Sequence, residues 1–473
     1  MVADIEAIAY SPVDFTAAEQ AFLSRHPGYK TTKLLDDVRS SEFRRLDEQK
    51  HIYLDYTGGN LYAASQVQQH AALLLNQVFG NPHSTNPTSR LSSQLIDEAR
   101  QTIINHFKAY DYQLVFTANA SQALKIIGEG YPFEENGHFL LLFDNHNSVN
   151  GIREYSRVKG AAHTYSPVNI EDLRINEPML TEYLSAFPDK QNKLFAMPAQ
   201  SNVSGVKHDL KWVELAQQQG WDVLLDAAAY VPSNTLDLSE VQPEFVSMSF
   251  YKIFGYPTGL GALLIKKSVF NKLHKNWFAG GTVKFVSVSS DNFFLAENYE
   301  RFEDGTLNYL GIPALTIGFN FINRIGMEVI NRRVTLLTAW LLEQLLALQH
   351  SNGEPLVHVF GPRDTADRGA TIIFNVFGKD GQPLPYWEVE AAANATNISL
   401  RTGCFCNPGI DEINNCLSSE ELAGYFSSHS GGDFADMIVA LGRMRGAIRI
   451  SLGLASNFSD VYRFIIFLKR YLQ

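Results

Sequence analysis

The sequence has little cysteine: its 473 residues include only Cys404, Cys406 and Cys416. So low and odd a number does not provide a disulfide framework and favours a reducing compartment. Cys404 and Cys406 are also too close together for the usual zinc-binding pair, no second pair follows, and no histidine lies between residues 400 and 416. We therefore expect no metal site, while a redox-active pair remains an alternative.

The sequence also lacks an excess of basic residues and any long apolar run. Lysine and arginine number 39 against 50 acidic residues, a net charge of −11 that disfavours a general nucleic-acid-binding protein. No stretch approaches the roughly 18 apolar residues of a transmembrane helix, and the N-terminal "MVADIEAIAYSPVDF" does not resemble a signal peptide. These absences predict a cytoplasmic protein that binds neither membranes nor nucleic acid.

From residue 51 onward, short apolar runs alternate with stretches of helical periodicity. Continuous runs such as "HFLLLFD" and "WDVLLDA" are typical of strands buried on both faces of a parallel sheet. We predict an α/β fold with a large, mainly parallel-sheet domain over residues 51–325 and a smaller α+β domain over residues 326–473. The polar N-terminal residues 1–50 are predicted to pack on the smaller domain.

Two charged residues stand directly after predicted strands. Asp226 follows "WDVLL" and Lys252 comes shortly after "FVSMSF". Alone, the acid could cap a helix or form a local ion pair, and the lysine could be solvated. At the ends of successive strands, the two suit pyridoxal 5′-phosphate. The lysine forms a Schiff base with this cofactor, and the acid keeps its pyridine nitrogen protonated.

Other polar residues at predicted strand ends suit the same cofactor. "FTANASQALKII" predicts a helix beginning near Ala120 and Ser121, whose N-terminus favours a phosphate group, and Ser249 could add a hydroxyl. His146 could stack on the ring, and Asn202 could donate a hydrogen bond to its phenolic oxygen. Each residue has an ordinary alternative as a helix cap or a turn residue, but their convergence on five consecutive predicted strands favours a cofactor site.

With these residues, the chain resembles the class V aminotransferase group of fold-type I pyridoxal-phosphate enzymes. Within that group it resembles the cysteine desulfurase branch, and most specifically the N-terminal desulfurase unit of molybdenum cofactor sulfurases, over about residues 50–460. The motifs that carry the resemblance are "SFYKIFGYPTGLGALL" (249–264), "PAQSNVSGVK" (198–207), "RFEDGT" (301–306) and "RTGCFCNPG" (401–409).

The resemblance implies the cofactor roles given above for the same residues and adds three more. Thr306 matches a threonine that reaches the phosphate of the other subunit, which implies a homodimer. Arg401 matches an arginine that holds the substrate carboxylate, a task suited to a bidentate guanidinium. Cys406 matches the cysteine that receives sulfur, with Cys404 as a bystander or a resolving thiol.

The implied reaction is the conversion of L-cysteine to L-alanine, with a persulfide left on Cys406 for a sulfur-acceptor protein or cofactor. Freed Lys252 would move the α-proton, and His146 could donate or accept a proton. The molybdenum cofactor is one candidate acceptor of the sulfur. The alternatives are a C–S lyase, an epimerase or an aminotransferase on the same scaffold, and a sulfur carrier without enzyme activity.

The sequence departs from the family pattern in three respects. Asn119 stands where the phosphate turn usually has glycine, although asparagine tolerates unusual backbone angles. Ala229 replaces a glutamine that many desulfurases place on the ring oxygen. Molybdenum cofactor sulfurases continue into a C-terminal domain that handles the molybdenum cofactor, and we expect no counterpart of it here.

Overall fold

The computed structural model describes residues 8–432, 434–442 and 445–473, in which strands and helices alternate through much of the chain. The strands are β1 (Ile52–Tyr53), β2 (Tyr112–Thr117), β3 (His138–Leu142), β4 (Ala162–Ser166), β5 (Lys193–Pro198), β6 (Asp222–Asp226), β7 (Phe245–Ser249), β8 (Gly261–Lys266), β9 (Val283–Ser287), β10 (Asn292–Leu295), β11 (Val357–Phe360), β12 (Thr371–Val376), β13 (Ile398–Ser399), β14 (Arg401–Gly403) and β15 (Ala447–Ser451). The α-helices are α1 (Pro12–Arg25), α2 (Leu34–Glu42), α3 (Arg45–Glu48), α4 (Ala64–Asn76), α5 (Pro87–Phe107), α6 (Ala120–Gly130), α7 (Asn147–Asn150), α8 (Ile152–Val158), α9 (Glu177–Ser185), α10 (Lys211–Gln218), α11 (Phe250–Phe254), α12 (Pro313–Ile325), α13 (Met327–Ala347), α14 (Tyr386–Ala395), α15 (Pro408–Asn414), α16 (Ser419–Ser428), α17 (Phe434–Leu441) and α18 (Phe458–Lys469).

The larger sheet has the strand order β2-β8-β7-β6-β5-β3-β4. Neighbouring strands from β7 to β4 run parallel, and β8 is antiparallel to both β2 and β7. Strands β3, β5 and β7 are buried along their whole length, which explains their continuous apolar sequences. The predicted α/β fold with a mainly parallel sheet is confirmed, and the carboxyl ends of β3, β5, β6 and β7 meet at one edge.

A smaller antiparallel sheet has the order β11-β12-β15-β14. Strand β1 pairs in parallel with β13, and Asp55 forms a bridge to Ser451 of β15. Because Ile52 and Leu54 are buried in the same apolar cluster as Ile398, this early segment belongs structurally with the C-terminal strands. The sequence prediction had assigned it to the large domain, and the domain boundaries themselves remain a prediction.

The N-terminal helices contact C-terminal elements. Phe22 of α1 stacks on Phe458 of α18 with ring centroids 4.7 Å apart. Arg39 of α2 forms a buried ion pair with Asp460, with 2.5 Å between Nη1 and Oδ2. These contacts support our proposal that residues 1–50, of which 8–50 are described, pack on the smaller domain, while Leu35, Phe43 and Leu46 also lie in the apolar cluster of the larger sheet. None of the helices among the described residues combines the length and the apolar character that a membrane span requires.

Replacing Asp460 with alanine should destabilise the protein, because the guanidinium of Arg39 would stay buried without this counter-ion. The two side chains are 5% and 4% exposed, and removing one partner of such a pair typically costs about 3–5 kcal/mol. Asp47 also binds Arg39 but is 57% exposed, so Asp47→Ala should cost about 1 kcal/mol or less. Urea unfolding measures both changes, and equal losses would contradict this view.

Candidate active site

The polar residues predicted for the cofactor meet at the carboxyl edge of the larger sheet. Strand β6 ends at Asp226, and β7 ends at Ser249 and continues directly into α11, which carries Lys252. A cavity of about 220 Å³ lies at this edge. Its lining includes Ala120, Ser121, His146, Asn202, Asp226, Ser249 and Lys252.

Lys252 lines the cavity in surroundings that change its protonation. Burial lowers the pKa of its amine below the ordinary value, and Asp226 partly opposes this effect. The guanidinium groups of Arg449 and Arg401 lower the pKa further. A lowered pKa increases the fraction of neutral amine, which is the form that attacks carbonyl groups and accepts protons.

Asp226 is held in place by hydrogen bonds to one of its two oxygens. Its Oδ1 accepts hydrogen bonds from Ala228 N at 3.1 Å and from Ser247 Oγ at 3.1 Å. These bonds orient the carboxylate in the cavity wall and engage only Oδ1 among the described residues. A fixed carboxylate of this kind can accept a hydrogen bond from a protonated ring nitrogen.

His146 precedes α7 and caps this helix. Its Nδ1 accepts a hydrogen bond from Ser148 N at 3.1 Å, so the proton of the neutral ring lies on Nε2. Burial lowers the pKa of His146 although Asp226 acts in the opposite direction, and Lys252 and Arg449 lower it further. The imidazole is therefore mainly neutral near pH 7, which suits a ring that stacks on a cationic pyridine.

The N-terminus of α6 lies at one end of the cavity. Asn119 caps the helix through Oδ1, which accepts from Gln122 N at 3.0 Å. Ala120 N donates to Ser249 Oγ at 2.9 Å, and Ser121 Oγ lies 2.6 Å from Ser148 Oγ. A helix N-terminus surrounded by hydroxyl groups suits a phosphate.

The substitution of glycine by Asn119 needs no special backbone tolerance. Its φ of −173° is extended, a conformation open to any residue. The glycine that this turn requires lies elsewhere, at Gly261 of the neighbouring strand β8. A Cβ on Gly261 would overlap the backbone of Asn119 and the carbonyl oxygen of Met248.

Thr306 lies outside the cavity of its own chain. It is not among the residues that line the cavity, and its Oγ1 accepts a hydrogen bond from Asn81 Nδ2 at 3.3 Å. Among the predicted cofactor contacts, it is the one that the described fold does not bring to this edge. Its expected role concerns a second copy of the chain and stays a prediction.

Two arginines share one carboxylate beside the cavity. Arg401, whose side chain is 51% exposed, forms an ion pair with Asp55 in which Nη2 lies 2.7 Å from Oδ2. The buried Arg449 reaches Oδ1 of Asp55 at 2.9 Å and donates to the carbonyl oxygen of Asn202 at 2.8 Å. Sequence reasoning missed Asp55 and Arg449. A charged residue inside or just after a short apolar run, as in "IYLD" and "AIRIS", was the available signal.

The segment between β14 and α15 carries the paired cysteines. Cys406 is exposed and Cys404 is half-buried, and burial raises the pKa of the Cys404 thiol. Cys406 O accepts a hydrogen bond from Asn147 N at 2.8 Å, which places the segment against the loop that carries His146. Asn202, which lines the cavity, donates to the carbonyl oxygen of Phe405 at 2.8 Å, so the segment also contacts the cavity lining.

The cavity residues fit pyridoxal 5′-phosphate. The helix N-terminus and hydroxyl groups match its phosphate, Asp226 matches a protonated ring nitrogen, and Lys252 matches its aldehyde. Ala229 lines the cavity without a polar group, and the amides of Asn202 and Gln200 belong to the same lining.

Comparison with known proteins agrees with this geometry. The molybdenum cofactor sulfurase of Solanum lycopersicum is 35% identical over 97% of this chain and 60% of that protein. The Homo sapiens molybdenum cofactor sulfurase is 37% identical over 92% of this chain and 51% of that protein. The chain thus spans roughly half to three-fifths of the length of these relatives.

Among solved structures, a cysteine desulfurase from Thermococcus onnurineus NA1 has the same fold, with a TM-score of 0.76 at 23% identity. The alignment covers 92% of this chain and 97% of that chain. The sequence also matches the family model for aminotransferase class-V over residues 52–464. The chain therefore belongs to the aminotransferase class-V family.

Proposed function

We propose that this chain is a pyridoxal-phosphate-dependent cysteine desulfurase, which converts L-cysteine to L-alanine and keeps the sulfur as a persulfide on Cys406. The observation that carries the proposal is the position of this exposed cysteine on a segment that is hydrogen-bonded both to Asn147 beside His146 and to the cavity residue Asn202. A C–S lyase, an epimerase or an aminotransferase has no need of a cysteine there.

Proton transfer at the substrate falls to Lys252. When bound, pyridoxal 5′-phosphate supplies an electron sink for the electrons of the Cα–H bond. Lys252 in its neutral form, which its lowered pKa favours, would accept the α-proton of the substrate on Nζ. Asp226 would accept a hydrogen bond from the protonated ring nitrogen, and His146 would stack on the ring.

The substrate carboxylate has a charge partner in the arginine pair. Arg401 and Arg449 together carry two positive charges against the single negative charge of Asp55. The remaining positive charge beside the cavity suits the carboxylate of an amino acid, which a guanidinium can bind through two hydrogen bonds. We therefore assign carboxylate binding to Arg401, with Arg449 as a buried second cation.

Sulfur transfer is the task of Cys406. Its thiolate attacks the substrate sulfur, which forms the new S–S bond and breaks the bond between Cβ and sulfur. The electron pair of the broken bond stays with the substrate carbon skeleton, which takes up protons and leaves as L-alanine. Cysteine and a thiol thus give alanine and a persulfide, without an external oxidant or reductant.

The fate of the sulfur and the assembly state extend the proposal. An exposed persulfide can pass its outer sulfur to a thiol of an acceptor protein or to a cofactor. The molybdenum cofactor is a candidate because the curated relatives are molybdenum cofactor sulfurases. We propose a homodimer, in which Thr306 contacts the phosphate held by the partner subunit, and a cytoplasmic location.

The direct test is to mix the purified protein with L-cysteine, without reductant, and to measure alanine together with the mass of the Cys406 peptide. We expect alanine and a mass gain of one sulfur atom on that peptide. Pyruvate or D-cysteine in place of alanine would overturn the proposal in favour of a lyase or an epimerase. Bound cofactor without any product would show that the site serves another substrate.

A further inference from the structure

A buried carboxylate with no part in the proposed chemistry lies just beyond the end of β3. Asp144 is 0% exposed. Its Oδ1 accepts hydrogen bonds from Ser201 Oγ at 2.8 Å and from Asn407 Nδ2 at 2.7 Å. Its Oδ2 lies 3.2 Å from Nε2 of His208, which is also buried. A buried carboxylate is costly unless such partners satisfy it, and these partners come from separate parts of the chain.

Asn407 connects this carboxylate to the nucleophile, because it directly follows Cys406. Its Nδ2 donates to Asp144 and also to Asn202 Oδ1 at 3.2 Å, while its Oδ1 accepts from Ile410 N at 3.3 Å and caps α15. The amide of Asn202 in turn donates to the carbonyl oxygen of Phe405 at 2.8 Å. The backbone on both sides of Cys406 is therefore tied to the edge of the larger sheet.

The segment needs such support because its backbone is strained. Phe405 and Cys406 both have φ near +55°, in the left-handed region that residues with a side chain rarely adopt. Strained conformations of this kind persist only where the surroundings fix them. In this segment the fixing contacts are the hydrogen bonds from Asn202 to Phe405 O and from Asn147 to Cys406 O, together with those that the Asn407 side chain donates to Asp144 and Asn202.

We propose that Asn407, held by Asp144 and His208, is a positioning residue that keeps Cys406 in the conformation required to attack the substrate sulfur. This inference rests on the function proposed above. It concerns mainly the sulfur-transfer step, because the contacts of Asn407 reach the cavity lining through Asn202 and none of them reaches Lys252 or Asp226 among the described residues. Loss of the contact should therefore impair sulfur transfer and leave proton transfer at Cα intact.

The variant Asn407→Asp tests the proposal with little change in shape. Aspartate caps helices as well as asparagine does, but the new carboxylate would face Asp144 and repel it. We expect kcat for persulfide formation to fall about 10–100-fold. The rate at which the α-hydrogen of L-alanine exchanges with deuterated water should change less than about twofold. Hydrogen exchange of the Asn147 amide, which donates to Cys406 O, should become faster.

Two further variants keep the outcome decisive. In Asp144→Asn combined with Asn407→Asp, the amide introduced at position 144 can donate to the carboxylate introduced at 407, so persulfide formation should recover at least in part. The matched control is Asn176→Asp, since Asn176 caps α9 through Met179 N at 3.2 Å, away from the nucleophile segment. This control should behave like the unchanged protein.

The results that overturn the inference differ from those that overturn the function. Equal losses of hydrogen exchange at Cα and persulfide formation in Asn407→Asp, or no loss of either, would refute a positioning role. Failure of the double variant to recover, with both single variants folded, would do the same. If the unchanged protein forms no persulfide, the proposed function fails, while amide exchange at Asn147 still shows whether Asn407 fixes the segment.

Discussion

Replacing Cys406 with alanine should lower persulfide and alanine formation by on the order of 10³-fold or more, because the variant lacks the exposed sulfur on the segment that contacts the cavity lining. The cofactor should stay bound, since the described cavity lining does not include Cys406. The ultraviolet–visible spectrum of the bound cofactor and the yield of alanine from L-cysteine measure the two properties in the same sample.

The other cysteines provide matched controls for this variant. Cys404 is half-buried with a raised pKa, so its sulfur is mainly a protonated thiol near pH 7 and a poor nucleophile. Cys404→Ala and Cys416→Ala should therefore retain most of the activity. Undiminished alanine formation by Cys406→Ala, or a persulfide on either remaining cysteine, would refute the assignment of Cys406.

Lys252→Ala should reduce alanine formation by on the order of 10⁴-fold, because it removes both the amine that carries the cofactor and the base at Cα. Borohydride reduction followed by peptide mass measurement should find the cofactor on the Lys252 peptide of the unchanged protein. In the variant, no peptide should carry the reduced cofactor.

Lys266→Ala is a suitable control, since Lys266 ends the neighbouring strand β8 outside the described cavity lining. It should retain covalent cofactor and activity. A Lys252→Ala protein with unchanged turnover would instead favour a sulfur carrier or scaffold that merely retains the fold. Covalent cofactor on another lysine would show that the other lysine, and not Lys252, is the reactive amine.

The predictable part of the site is the part encoded by short segments. Asp226 and Lys252 were identified because each follows a strand predicted to be buried. Parallel strands run in the same direction, so their carboxyl ends lie at the same edge of the sheet. The apolar runs of β3 and β6 predicted the core of the sheet for the same local reason. Such inferences need no knowledge of which strands are neighbours.

The missed part depends on contacts between distant segments. Asp55 and Arg449 meet across 394 positions of sequence, and no local pattern indicates that one carboxylate serves two arginines. Similarly, the link from Asp144 to Asn407 spans 263 positions. The tolerance of asparagine for unusual backbone angles, which was expected to matter at Asn119, is not needed because its φ is extended.

The pairing of β1 with β13 also affects folding during synthesis on the ribosome. Ile52 cannot pair with Ile398 until that residue has been synthesised, 346 residues later. At about 5–20 residues per second, this delay is roughly 17–70 s. During that interval the apolar side chains of Ile52 and Leu54 lack their final neighbours, although the larger sheet can already form. The early segment is therefore one place where a chaperone could protect exposed apolar side chains during translation.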